Sequence, residues 1–262
     1  MDFGIRGQAA VVAAASKGLG RACAIALAGE GVNVAIFARD LDALSETSAR
    51  VRAAGAEALV IQADVTQPDQ IQQVVEQAVN TFGRLDILVC NAGGPPPGTF
   101  GEVNEQQWEQ ATQLLLMSMV RLIHAALPHL RRQGGGRIIN LVSTSVREPI
   151  EGLVLSNTIR SGVIGLAKTL ASELGPDHIT VNNIITGRIM TDRQRSLRDR
   201  AAQHLGISLD EAIKLAEKDI PLGRLGDPAE LAALVAFLAS RQAGYITGTS
   251  IPVDGGLMRG IW

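Results

Sequence analysis

Near the N-terminus, the run Ala14-Ala15-Ser16-Lys17-Gly18-Leu19-Gly20 has residue types suited to holding a phosphate. It follows an apolar strand and leads into a helix. Glycines at such a junction let the backbone approach a pyrophosphate, which then rests on the helix N-terminus. About twenty residues further on, an NAD-selective site carries an acidic residue against the ribose 2′-hydroxyl. This chain has Ala38-Arg39 there. A small residue beside a guanidinium suits a 2′-phosphate, and Lys17 offers a second cation. Asp40, next in the chain, reads as a helix cap. The expected cofactor is NADP(H), held by Ser16, Lys17, Gly18, Leu19, Gly20 and Arg39.

The elements that must position this loop are visible as alternating apolar runs and helical patterns. Strands are expected at 9–13, 33–38, 57–62, 87–90, 137–142, 180–185 and 250–253. Most are too apolar for a half-exposed sheet, which points to strands covered on both faces. Helices are expected at 20–29 and 41–54, and further helix starts carry caps. Thr66 precedes Pro68 and Asp69; Asn104 pairs with Gln107; Ser208 pairs with Glu211; Asp227 precedes Pro228 and Glu230. Short loops between strands and helices imply a parallel, doubly wound α/β sheet, which binds ligands at the carboxyl ends of its strands. The interval 187–224 breaks the alternation beside that edge and reads as a substrate lid.

Composition narrows the function classes. The chain has 262 residues, 46% of them apolar and only 3% aromatic, which fits one α/β domain spanning 1–262 with an aliphatic core. A net charge of −2 gives no footprint for nucleic acid. No uninterrupted apolar run approaches the ~18–20 residues of a membrane span, and 1–8 contain no signal-like apolar segment. A cytoplasmic location is expected, with Cys23 and Cys90 reduced and buried. No metal site is expected.

With these motifs in order, the chain resembles the short-chain dehydrogenase/reductase family, especially its 3-oxoacyl-acyl-carrier-protein reductase-like members. The likeness covers essentially the whole chain. It rests on the glycine loop, Asp64-Val65, Asn91-Ala92-Gly93, Ser143, Val181-Asn182 leading to Gly187, and Val253-Asp254-Gly255-Gly256. The resemblance implies a single-domain, seven-stranded Rossmann fold. It also implies a homotetramer packed through helices near 106–132 and 153–175 and through the last strand. Asp64 and Val65 would lie against the adenine, Asn91, Ala92 and Gly93 behind the cofactor, and Gly187 and Ile189 beside it. Ser143 would hold a substrate carbonyl.

Against that family pattern the chemistry changes. The family's tyrosine falls on Ser156, its lysine on Arg160 and its helix asparagine on Leu115; the first loop glycine is Ala14, and Thr186 replaces a proline. A tyrosine of reference pKa ~10, lowered by an adjacent ammonium, can protonate a product oxygen; a serine is a far weaker acid, and an arginine does not titrate usefully. Tyr245, the one tyrosine, falls before the last strand in a structural position. His124 and His129 belong to a helix running away from the ligand edge, and His178 to the opposite edge of the sheet. His204 in the lid can swing in, and Arg147 and Glu148 can line the cleft. Arg188, Arg193, Arg195, Arg198 and Arg200 make the lid basic, which suits an anionic substrate or acyl thioester.

The reading is an NADP(H)-dependent oxidoreductase acting on a carbonyl or hydroxyl substrate, with Ser143, Ser156 and Arg160 at its site. A non-catalytic NADP(H)-binding sensor or partner subunit is the alternative, and a non-redox enzyme reusing the pocket is a third.

Overall fold

A computed structural model of the chain describes residues 2–260. Its centre is one parallel sheet of seven strands in the order β3-β2-β1-β4-β5-β6-β7. The strands are β1 (Ala9–Ala13), β2 (Asn33–Ala38), β3 (Ala58–Gln62), β4 (Ile87–Cys90), β5 (Gly136–Ser143), β6 (Ile179–Thr186) and β7 (Ser250–Val253). Strand order reverses between β1 and β4, and the crevice outside that point is where a doubly wound sheet takes ligands.

Side chains alternate faces along each strand, so the two cores separate by period two. Val11 and Ala13 join Leu88, Ile138 and Val142 under the helices α3 (Pro68–Phe82), α5 (Ser118–Arg132) and α6 (Val154–Glu173). Ala10 and Val12 join Val89, Ile139 and Leu141 on the other face, under α1 (Gly18–Gly29), α2 (Leu41–Ala53) and α9 (Pro228–Ala239). Both faces being covered explains why the strands are apolar throughout. Both cysteines are free and buried, Cys23 on α1 and Cys90 on β4, and burial pushes both thiols up, Cys23 to about 12.

Most helix starts follow their caps. Asp40 accepts from Ala43 N–H at 3.1 Å. Reciprocal capping boxes join Asn104 to Gln107 and Ser208 to Glu211, and Asp227 to Glu230. Thr66 is a correction: α3 is capped by backbone at Gln67, and the Thr66 hydroxyl donates to Asp64 Oδ1 at 2.9 Å instead. The short Asp64 side chain wins that hydroxyl because it lies two residues away in the same turn. The first helix starts at Gly18 rather than Gly20, since Gly18 itself takes the left-handed φ of 55° that opens it.

One helix runs from Glu105 to Arg132, as α4 (Glu105–Thr112), a π-helical turn (Gln113–Met117) and α5. It is long and apolar enough to cross a membrane by length and composition. Its apolar side is spent on the sheet, however: Leu115, Met119, Leu122 and Ala126 are buried in the core. The basic interval after β6 is also helical. It forms α7 (Asp192–Leu205), capped by Thr191, and α8 (Leu209–Glu217), and α7 stands over the carboxyl ends of the strands.

Candidate active site

A cleft of about 840 Å³ lies at those carboxyl ends. Lys17, Gly18 and Leu19 line it from the first turn, Asn91, Ala92 and Gly93 from the end of β4, Ser143 from β5, Ser156 and Arg160 from α6, and Gly187 and Ile189 from the end of β6. The sheet thus brings into one cavity residues that lie as much as 172 positions apart, from Lys17 to Ile189. Ser16, Gly20, Arg39, Asp64 and Val65 are not among its lining residues.

The glycine turn is braced from behind. Arg21 donates from Nη2 to the Ser16 carbonyl at 2.6 Å and from Nε to the Thr47 hydroxyl at 2.9 Å, and Thr47 Oγ1 donates to the Ala15 carbonyl at 3.0 Å. A Cβ on Gly20 would overlap the Ala14 carbonyl, so that position admits only glycine. Ala14 holds φ at 50°, a left-handed conformation strained for alanine. The first turn of α1 has no side-chain cap and no acidic residue, unlike that of α2. Its backbone N–H groups are therefore disposed for a phosphate.

Beyond the loop, Arg39 is 82% exposed at the end of β2 and stands 3.9 Å from Asp64 Oδ2. Lys17 Nζ lies 3.3 Å from Asp40 Oδ2. The Asp40 carboxyl is held below the usual carboxylate range by the Ala43 N–H and then by Lys17. Two exposed cations thus stand beyond the loop. A left-handed, Cβ-free turn, an uncapped helix start and paired cations fit NADP(H).

The other half of the cleft is serine and arginine. Ser143 Oγ accepts from the Ser145 N–H at 3.2 Å. Ser145 and Ser156 pair through their hydroxyls at 3.3 Å, both buried. Arg160 is only 8% exposed; its Nη1 reaches the Leu141 carbonyl at 3.3 Å, and its Nε has no partner among the described residues. Burial, and then repulsion from Arg193, lowers this guanidinium to about 10, so it remains protonated at neutral pH. Such a group can supply positive potential to an oxygen held by the serine hydroxyls.

No His, Tyr or Cys lines the cleft among the described residues. Tyr245 is fully exposed and, with His178, lines a separate groove at the amino ends of the strands. His124 is exposed on α5. His129 is half-buried there, and burial depresses its imidazole. His204 is exposed on α7 and does not line the cleft. Glu148 lines the cleft and accepts from the Arg259 N–H at 2.8 Å, while Arg147 does not line it. Among the described residues no group of three or more His, Cys, Asp or Glu could hold a metal.

Ser145, Arg193 and the Arg21–Thr47 brace carry no signal in the sequence. Ser145 lies two residues from Ser143 and looks like any loop serine until α6 packs Ser156 on it. Arg193 is one of several lid arginines, yet it alone reaches back to the carbonyls of Gly94 and Pro95, at 3.3 and 3.4 Å.

Comparison with known proteins extends this picture. The family described as Enoyl-(Acyl carrier protein) reductase matches residues 13–258. A 3-oxoacyl-(acyl-carrier-protein) reductase of Staphylococcus epidermidis is 36% identical over 251 residues, 95% of this chain and 98% of that one. The L-sorbose reductase of Gluconobacter frateurii, solved with NADPH and L-sorbose, superposes with a TM-score of 0.95 at 33% identity, covering all of both chains. YwfH, an NADPH-dependent reductase involved in bacilysin biosynthesis, gives a TM-score of 0.92 at 30% identity, over 97% of this chain and 99% of the other.

Proposed function

The chain is a member of the short-chain dehydrogenase/reductase family, and from that premise we propose that it reduces a reactive carbonyl with a proton-delivery site unlike the family's. As an NADP(H)-dependent oxidoreductase it draws on a cofactor that, when bound, supplies the hydride. Lys17, Gly18, Leu19 and Gly20 hold the diphosphate, with Ser16 beside them. Arg39 holds the 2′-phosphate, Asp64 and Val65 the adenine end, and Asn91, Ala92, Gly93, Gly187 and Ile189 the remainder.

Ser143 and Ser156 donate hydrogen bonds to the substrate oxygen, and Ser145 sets the direction of the Ser156 hydroxyl. Arg160 stabilises negative charge as it grows on that oxygen and positions the cofactor. Ser156, Arg160 and Leu115 occupy the family's tyrosine, lysine and asparagine positions, and among the described residues no tyrosine or histidine lines the cleft. The proton comes from solvent at the cleft mouth. An electron-poor carbonyl suits this arrangement, because its reduced oxygen is less basic and needs a weaker acid. The substrate is a small carbonyl compound, with anions and acyl thioesters within its range. Residues 187–224 form the lid, and the protein works as a cytoplasmic homotetramer.

What carries the reading is one observation: Ser143, Ser156 and Arg160 share a single cleft with the glycine turn, with Ser145 bonded to Ser156 behind the lining. NADPH oxidation, measured over 3-oxoacyl thioesters, α-diketones and quinones, is expected for at least one class, and Ser143→Ala should abolish it while leaving NADPH binding intact. Absence of turnover across the panel with intact NADPH binding would instead favour a non-catalytic NADP(H)-binding sensor or partner subunit, the reading that the lack of a tyrosine or histidine on the described cleft lining also supports.

A further inference from the structure

Arg160 and Arg193 line the same cleft, one from α6 and one from the first turn of α7. Arg193 acts on Arg160: burial and then Arg193 lower the proton affinity of Arg160, while Arg193 is lowered by its own burial and then by Arg200. Neither makes an ion pair with a carboxylate among the described residues, nor does Arg198, which lines the same cleft and whose buried Nε lacks a partner. By contrast Arg188 is matched by Asp219 at 2.8 Å. The acidic side chains on the cleft, Glu148, Glu151 and Asp192, form no ion pair with these arginines.

Unpaired cations gathered in a half-dry cavity are costly unless an anion joins them. The placement of Arg193 is built rather than incidental. Its guanidinium lies across Gly94 and donates to the carbonyls of Gly94 and Pro95. A Cβ on Gly94 would overlap that guanidinium as it lies here, so an alanine at this position would push the arginine aside. Arg160, whose buried Nε is unpartnered among the described residues, lines the same cavity as Ser143 and Ser156.

We propose that the cleft takes a substrate bearing a carboxylate beside the reacting carbonyl, a 2-oxo acid, with the carboxylate seated between Arg193 and Arg160. A planar carboxylate matches the guanidinium fork, and its charge relieves the repulsion between the two arginines. The electron-withdrawing carboxylate also makes the neighbouring carbonyl the reactive kind that a site without a tyrosine needs. This inference rests on the proposed function for its reacting carbonyl, but the anion seat itself is independent of turnover.

The test is calorimetric titration of the NADPH-saturated protein with oxamate and with its neutral relative oxamide. Oxamate should bind roughly 30-fold more tightly or better, the scale expected for a desolvated charge pair. Arg193→Ala should bring the two ligands close to parity, Arg193→Lys should keep part of the preference, and Gly94→Ala should lower it with Arg193 still present. Equal binding of the two ligands by the wild type overturns the proposal. So does an oxamate preference that survives in both Arg193→Ala and Gly94→Ala. An Arg193→Ala protein that loses NADPH affinity yet keeps the preference assigns the arginine to the cofactor, and also overturns it. A protein that prefers oxamate but turns over no carbonyl keeps this inference while the proposed reaction fails.

Discussion

At the β1–β3 edge of the cleft, polar groups are matched. The Ala15 and Ser16 carbonyls are taken by Thr47 and Arg21, Asp40 caps α2, and Asp64 is satisfied by Thr66. At the β5–β6 edge they are not. Arg160 Nε, Arg198 Nε and Thr186 Oγ1 are buried without partners, all on the cleft lining. On the proposed reading, the first edge accepts a nucleotide that is the same in every turnover and is finished in advance. The second keeps unspent hydrogen-bonding capacity, at a cost in stability, where a variable substrate must be held and charge must be stabilised.

The contrast can be tested hardest where it is chemical. Ser156→Tyr combined with Arg160→Lys should raise kcat for a simple ketone by ~10²- to 10⁴-fold, the usual worth of a positioned general acid. NADPH oxidation reads it, and an unchanged rate would mean that proton supply is not what limits the reaction edge.

Stability probes the same edge next. Arg160→Leu should stabilise the cofactor-free protein by roughly 1–3 kcal/mol in urea unfolding, because it removes a buried charge lacking a counterion. The sign follows from its proton affinity, depressed by burial to about 10. The folded state binds that proton less tightly than the unfolded one, so the cost is fully present at neutral pH and is relieved only as pH rises above about 10. A destabilised variant would show that Arg160 is already compensated.

On the matched edge, effects should be smaller and confined to the cofactor. Arg39→Ala should weaken NADPH about tenfold and leave NADH nearly unchanged, in keeping with one charge-assisted hydrogen bond at an exposed site. Fluorescence titration of both nucleotides checks this, and equal losses would remove Arg39 from the 2′-phosphate. Smallest of all, Ala14→Gly should stabilise the fold by ~1 kcal/mol by releasing the left-handed strain, as thermal unfolding would show.

Local signals were strong where chemistry is local. The glycine turn, the Arg39 position, the Asn104, Ser208 and Asp227 caps and the apolar strands all act within a few residues of themselves. Period, cap and turn chemistry were therefore enough to place them. Thr66 was misread because two nearby groups compete for one hydroxyl, and the winner depends on the turn actually formed. The helix α7 was hidden because its polar, arginine-rich surface has almost no apolar stripe, leaving Ala202 as its one buried residue.

By itself the sequence determined the sheet, the phosphate turn and its preference for a 2′-phosphate, and the absence of a tyrosine and lysine beside Ser143. Each of these follows from residue type and spacing along one stretch of chain. Only the tertiary structure decided that Ser145, rather than Ser143, grips Ser156, that Tyr245 lies at the far end of the sheet, and that Gly94 makes room for Arg193. Those contacts join segments up to 99 residues apart, from Gly94 to Arg193, and depend on which side chain packing leaves without a partner. Nothing in the local chain encodes that.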